Sequence, residues 1–463
     1  MDRSKLTLTH EEMTESLNRM SDMILNHFTE LQQKSVTRNK SRKELDKLIK
    51  ATFSDSGSTV SEMLTFIESD VFTNIMHLDH PRFFAFVPSP SNFVSVLADA
   101  LISAFNVFNG TWIEASSCAK IELTVLEWFR DALGLPQSAG GLFVSGGSIA
   151  NMTAMCTARD DKLQGSFSDG TAYYSDQAHS SIKRGLHVVG IQNDHQRIIP
   201  TNAEFTMDLE ALSRQIELDI QSGKKPFLVV ASAGTTNTGA IDPLPDLRRI
   251  ADQYGMWFHV DGAYGAAAIF SERECSRLYD IGCADSISID PHKWLFQPYE
   301  AAVLMVNDRA KLLDTFRILP EYLQDLEGTG DQPNFCDYGP QLTRSFKAFK
   351  VWLSFSVFGK KGLSDAITRG FDLAGFAEGI IEASDDLHLV TKSQMAIVCF
   401  RFGDNDGIQS AIAERISSDG YAMISTTQLN DRTVLRLCTI NPRTTESDIE
   451  NTLNLIIKIG REI

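Results

Sequence analysis

From about residue 80 the chain alternates between short apolar runs that end in polar or glycine-rich turns and longer stretches of helical periodicity. The runs cover residues 187–191, 227–231, 256–260, 286–289 and 301–306, and the helical stretches 207–220 and 244–254 lie between them. Runs of four to six apolar residues bounded by turns read as buried strands. Strands separated by helices predict an α/β chain with a mainly parallel sheet covered on both faces. In such a sheet ligands sit at the carboxyl ends of the strands.

The flanks read differently. Thr9 and Glu12 have the spacing of a capping box, and Met13, Leu17, Met20, Ile24, Phe28 and Leu31 then fall on one helical face, so an amphipathic packing helix opens the chain. The basic segment 34–50 reads as a solvated face or linker. After Lys350, runs at 387–390, 396–402 and 434–438 with helices near 408–418 and 446–459 predict a compact α+β tail. The expected division is an N-terminal helical segment (1–80), a large domain (81–348) and a small C-terminal domain (349–463).

Charge narrows the partners. With 43 Lys and Arg against 60 Asp and Glu the net charge is −17, and basic residues run no longer than pairs such as Lys224–Lys225 and Lys360–Lys361, which argues against nucleic acid and anionic membrane surfaces. Seven scattered cysteines without a CxxC pair fit reduced thiols, and the opening residues lack the apolar stretch of a secretory signal, so a cytoplasmic protein is expected. The longest charge-free run, 132–158, is interrupted by Pro136, Gly140, Gly141 and Asn151 and reads as buried interior rather than a membrane span. Apart from His77 and His80 the histidines are dispersed, and none has zinc-ligand spacing; no metal is implied.

The chemistry concentrates at run ends. Asp290-Pro291-His292-Lys293-Trp294 follows the run 286–289. Its lysine is either a surface amine or one held in a closed site where desolvation lowers its pKa for imine formation. Asp261 ends another run, 32 residues upstream. An acid paired with an imine-forming lysine is what pyridoxal phosphate needs, because an ionised carboxylate keeps the pyridine nitrogen protonated and the ring electron-accepting. Ser145-Gly146-Gly147-Ser148 precedes a helical stretch, and its amides suit a phosphate. His179, within Tyr174–Ser181, and Thr235, in the turn 233–239, stand near further run ends.

These ordered motifs resemble the group II pyridoxal-phosphate decarboxylases, and within them the aromatic-L-amino-acid decarboxylases. The likeness runs from the N-terminal helix through Phe83-Phe84-Ala85-Phe86, residues 112–122, the motifs above and Tyr322 to the helix near 346–358. It implies a fold-type-I (aminotransferase-like) enzyme with pyridoxal 5'-phosphate joined to Lys293, Asp261 at the pyridine nitrogen and His179 on the ring face. Gly147, Ser148 and His292 match the phosphate end, Ala263 the small residue under the ring, and Thr235 a further cofactor contact. Tyr322 matches the proton donor of the family's active-site loop. Related aldehyde synthases often lack this tyrosine or the histidine, so retention of both predicts an amine product. The resemblance also implies a homodimer in which both subunits build each site.

Phe86, Phe108 and Trp112 match the substrate pocket, with Phe83 and Phe84 either lining it or in the core; such a lining suits an aromatic substrate. Gly110 falls where animal enzymes carry phenylalanine, predicting a wider pocket open to tryptophan as well as tyrosine, phenylalanine and dihydroxyphenylalanine. Trp294 favours the aromatic branch, and Arg82 is the nearby cation for an acidic substrate. Asp290 replaces an asparagine usual in the animal enzymes. The remaining alternatives are an acidic-amino-acid decarboxylase, an aromatic aldehyde synthase, or a catalytically silent member.

Overall fold

The computed structural model describes residues 6–49, 56–318 and 331–463. In chain order its elements are α1 (His10–Glu30), α2 (Arg42–Leu48), α3 (Val60–Phe66), α4 (Phe93–Phe105), α5 (Ser116–Leu133), β1 (Gly140–Val144), α6 (Gly147–Leu163), β2 (Gly170–Ser175), α7 (Ser180–Val188), β3 (Gln196–Ile199), α8 (Leu209–Gln221), β4 (Lys225–Ser232), α9 (Leu244–Tyr254), β5 (Trp257–Asp261), β6 (Ser286–Ile289), β7 (Ala302–Val306) and α10 (Ala310–Phe316). They continue with α11 (Ala348–Glu382), β8 (Leu387–Thr391), β9 (Ile397–Phe402), α12 (Asp406–Asp419), β10 (Ser425–Leu429), β11 (Arg432–Cys438) and α13 (Glu446–Glu462).

Seven strands form one sheet in the order β1-β7-β6-β5-β4-β2-β3. Only β7 runs against its neighbours. The reversal has a local cause: β6 and β7 are joined by residues 290–301 with no intervening helix, and a parallel return needs a longer crossover. The carboxyl ends of β1, β2, β4, β5 and β6 therefore share one edge. The second sheet, β10-β11-β9-β8, is antiparallel throughout. The expected α/β class with a mainly parallel sheet and an α+β tail is what folds.

One run departs from expectation. Residues 187–191 are not a strand: they end α7 and turn at Gly190, whose φ is +89°. Ile182, Leu186 and Val189, spaced four and three apart, are all buried, so helical periodicity outcompetes the β-branched character of the short run. The charge-free stretch 132–158 becomes the end of α5, β1 and most of α6, largely buried.

Among the described residues two large apolar cores hold the sheets, and a small third one contains Val36, Phe83 and Ala85. The largest surrounds the seven-stranded sheet; the second lies beneath the antiparallel sheet and includes Phe84, Leu373, Val398 and Leu435. Phe84 donates to Met423 O at 2.7 Å and accepts from Cys438 N at 2.9 Å, and Phe83 is 1 % exposed, which settles both phenylalanines as core. The opening helix forms with its Thr9–Glu12 capping box intact, yet it buries no residue within this chain; Met13, Leu17 and Met20 are exposed.

A buried ion pair fixes the rim of the large sheet. Arg344 Nη2 lies 2.5 Å from Glu122 Oε1, with exposures of 3 % and 0 %. Glu122 also accepts from Phe143 N (3.0 Å) and Asn109 Nδ2 (2.6 Å), and Arg344 donates to Asn109 O and Phe143 O. One carboxylate thus ties α5, β1, the loop before α5 and the approach to α11. Glu122→Ala strands a buried guanidinium and should cost about 3–5 kcal/mol, whereas replacing both partners with apolar residues of similar volume should recover most of it; thermal or urea unfolding of the two variants measures the difference.

Candidate active site

Register places the site residues. Asp261 ends β5 opposite Ser232 of β4 and Ser288 of β6. Its Oδ1 accepts from Ser288 Oγ (3.2 Å) and Ala263 N (3.1 Å), and its Oδ2 from Asn151 Nδ2 (3.0 Å). Both oxygens are acceptors, as a carboxylate requires. Lys293 lies in the loop after β6, held there by Trp294, which is fully buried, stacks on Tyr264 at 6.0 Å and packs on Phe371 of α11 at 5.1 Å. Trp294 is therefore the anchor of the lysine loop, not a lining residue of the cavity beside it.

That cavity is lined by His179, Thr235, Asp261, Ala263, Tyr264 and Lys293 among others. His179 caps α7: its Nδ1 takes the Ser181 N–H at 3.2 Å and lies 2.8 Å from Ser181 Oγ. Burial lowers the His179 pKa despite the opposing charge of Asp261, so the ring is neutral. Thr235 sits in a tight turn where its Oγ1 meets Thr238 Oγ1 at 2.9 Å and accepts from Ala240 N. Gly234 needs to be glycine, because its φ is +96° and a Cβ would stand 3.1 Å from the Tyr264 ring.

The end of β1 feeds directly into α6, and no side chain caps that helix. Its first amides are thus available to an anion. At Gly147 a Cβ would fall 2.8 Å from Asp290 Oδ2 and 3.2 Å from the Ala263 Cβ, so the backbone approaches the site only as glycine. Ser148 follows on the exposed side. His292 is buried, accepts from Ala301 N on Nδ1 at 3.2 Å and has its pKa lowered by burial, leaving Nε2 as the protonated nitrogen, 3.6 Å from Asp290 Oδ2.

Asp290 is the unexpected member. It is 2 % exposed, its Oδ2 lies 2.9 Å from Lys293 Nζ, and its Oδ1 has no hydrogen-bond partner. Burial alone pushes the Lys293 pKa down, but Asp290, with help from Asp261, more than offsets it and raises the amine above its ordinary value. The expectation of an amine whose pKa is lowered by desolvation is thus corrected for the cofactor-free chain: a carboxylate reached it first.

Phe86, Phe108, Gly110 and Trp112 are not among the residues lining the cavity at Lys293. Phe86 is 57 % exposed. The space left by Gly110 is filled by the Phe108 ring, which comes within 2.4 Å of where a Cβ would stand, so within this chain the glycine does not open a void. Tyr322 lies outside the described residues. Sequence reasoning missed Asn151, Ser181, His259 and Ser288, which organise the site from behind. The available signals were a lone amide on the small-residue face of α6 and the i, i+2 placement of His259 and Asp261 on one face of β5.

An amine and a carboxylate at neighbouring strand ends, a neutral imidazole, a small residue at Ala263 and an uncapped glycine-lined helix start fit pyridoxal phosphate group by group. Fold and donor set together define a fold-type-I pyridoxal-phosphate enzyme. The chain belongs to the pyridoxal-dependent decarboxylase family: the model described as the pyridoxal-dependent decarboxylase conserved domain matches residues 42–403. It is 41 % identical to an aromatic-L-amino-acid decarboxylase of Bacillus atrophaeus across 99 % of this chain and 97 % of that protein. It is 27 % identical to tryptophan decarboxylase 2 of Oryza sativa, covering 96 % and 94 %. The Oryza sativa TDC structure with PLP and tryptamine superposes with a TM-score of 0.94 at 25 % identity, covering 98 % and 99 %. Among the described residues no helix is long and apolar enough to cross a membrane.

The ion pair yields a signed prediction. In cofactor-free protein, Asp290→Asn removes the carboxylate and lets burial lower the Lys293 pKa. The pH at which half of Lys293 reacts with an amine-directed reagent, read by peptide mapping, should move down; an unchanged midpoint would show that Asp290 does not control the amine.

Proposed function

We propose that the protein decarboxylates an aromatic L-amino acid to the corresponding amine and carbon dioxide. The observation that carries this reading is the 41 % identity along essentially the whole chain to an aromatic-L-amino-acid decarboxylase. The position of Arg82 supports it: its Nε donates to Tyr421 O, its guanidinium covers the Tyr421 ring and it pairs with Asp448 at 3.6 Å, so this cation is committed to the fold rather than to a substrate's second carboxylate.

Bound pyridoxal phosphate supplies an electron sink for the pair left when the bond from Cα to the carboxylate breaks. The chain does the rest. Lys293 is the amine that would hold the cofactor. Asp261 would keep the pyridine nitrogen protonated, His179 would cover the ring face and Ala263 would leave room beneath the ring. The amides at Gly147 and Ser148, with His292, would hold the phosphate, and Thr235 would border the cofactor. Tyr322 delivers the proton to Cα. Excluding water favours the step, because charge disperses as carbon dioxide leaves.

The working unit in this reading is a cytoplasmic homodimer. Apolar side chains on α1 (Met13, Leu17, Met20) and α4 (Leu97, Leu101, Phe105) stay exposed in one chain, more than isolated surface residues account for, and a second copy covers them. Phe86, Phe108, Gly110 and Trp112 then line the partner's substrate pocket, which is why they are absent from the cavity of their own chain.

Incubation with tyrosine, phenylalanine, tryptophan, dihydroxyphenylalanine and glutamate tests the reading. Amine without peroxide from the aromatic substrates is expected; ammonia with hydrogen peroxide marks an aldehyde synthase, and glutamate turnover an acidic decarboxylase. Lys293→Ala should abolish cofactor attachment, and Tyr322→Phe should divert product toward aldehyde while cofactor stays bound. Unchanged amine yield in the second variant removes Tyr322 from the mechanism.

A further inference from the structure

Behind the cavity runs a buried hydrogen-bond chain whose direction is forced at every link. Asp261 Oδ2 can only accept, so the group facing it at 3.0 Å is the Asn151 amide nitrogen. The second hydrogen of that nitrogen goes to Ser181 Oγ, also at 3.0 Å. Asn151 Oδ1 then faces His259 Nε2 at 3.0 Å, which must donate. Burial lowers the pKa of His259 to about 4, so the ring is neutral and its Nδ1 accepts from Ser286 Oγ at 2.8 Å. Ser286 in turn accepts the Trp257 indole N–H at 2.8 Å, a group that can only donate.

The other arm is equally constrained. Ser181 Oγ, already accepting from Asn151, has one hydrogen left, and His179 Nδ1 lies 2.8 Å away. That nitrogen also receives the Ser181 backbone N–H, so the neutral His179 ring carries its proton on Nε2. Asn151 is 1 % exposed and His259 is fully buried. No buried polar atom in this network of seven side chains is left without a partner, whereas one of Asp290's oxygens, across the cavity, is.

We propose that Asn151 is a positioning residue of the cofactor site: its single amide aligns the carboxylate of Asp261 with one hydrogen and, through Ser181, fixes the proton of His179 with the other. The two side chains assigned to the ring nitrogen and the ring face are thereby set by one group that touches neither the cofactor nor the substrate. The inference rests on the roles given to Asp261 and His179 above, but the proton positions it requires can be read without them.

Two measurements test it. In full-length protein carrying 15N-histidine, without and with pyridoxal phosphate, His179 and His259 should both appear as neutral rings with bare Nδ1 and protonated Nε2 at about pH 7.5. The signals are assigned by their loss in His179→Gln and His259→Gln. An Nδ1–H tautomer at either ring breaks the donor chain and overturns the proposal, whether or not any variant of Asn151 folds. In Asn151→Asp a carboxylate replaces the double donor, and only its protonated form can give a hydrogen to Asp261. The Kd for pyridoxal phosphate should rise about tenfold or more near pH 8 and recover toward the parent value near pH 6, as expected for loss and return of a hydrogen bond to a charged group.

The titratable groups facing position 151 are Asp261 and His259 from β5, with His179 reached through Ser181 and Lys293 and Asp290 beyond in the loop after β6, so the variant-to-parent ratio is taken at each pH to cancel their own titrations. A ratio near one throughout, or weakening equal at every pH, reduces Asn151 to packing and sinks the idea. Failure of the parent protein itself to bind pyridoxal phosphate would sink the functional reading instead, with the tautomers still standing.

Discussion

The site depends on a geometric constraint: β4, β5 and β6 are adjacent and parallel, so three chain segments leave the sheet at the same edge, in register. Thr235, Asp261 and Lys293 follow from that edge, and β1 delivers the start of α6 to it. A sheet buried on both faces can hold a carboxylate there only if donors or a cation meet its charge, because an unmet buried charge costs several kcal/mol. The three donors to Asp261 come from β6, from the turn after β5 and from α6, so the carboxylate also reports whether those elements have met.

The large features were legible because strong local signals and the tertiary outcome agree. Residues 227–231, 256–260 and 286–289 combine apolar composition with a polar or glycine-rich end, and the strands, with Asp261 and Lys293 just at their ends, fall where those signals lie. The reading failed where the signals conflict. Residues 187–191 look extended locally but lie in phase with Ile182 and Leu186, and the helix wins. β2, a fully buried strand of the sequence Gly-Thr-Ala-Tyr-Tyr-Ser, was not distinguished from its surroundings. Asn151 escaped notice because a single polar residue inside an apolar helix announces neither its partners nor its direction; both are tertiary facts.

The expected substrate pocket rests on resemblance alone. The aromatic residues at 86, 108 and 112 have no common periodicity, and the segment 110–112 is held by distant partners: Trp112 N donates to Asn334 Oδ1 and Gly110 O accepts from Cys336 N. Asp290, by contrast, was visible as an oddity in the sequence, while its consequence needed coordinates. Only the 2.9 Å approach to Lys293 shows that the charge is spent on the amine, with one oxygen left over in a closed space.

The pairing of Glu122 with Arg344 bears on how such a chain is made. The two residues are 222 positions apart, so during synthesis the acid emerges long before the base that neutralises it. Until then the edge strand and the segment around Asn109 have no cation to close on, and the nascent N-terminal half must keep that carboxylate hydrated. Vectorial folding of the catalytic sheet therefore halts one step short of completion. It finishes only after the approach to the long helix α11 has left the ribosome, which makes the edge of the sheet at β1 among the last parts of the large core to set.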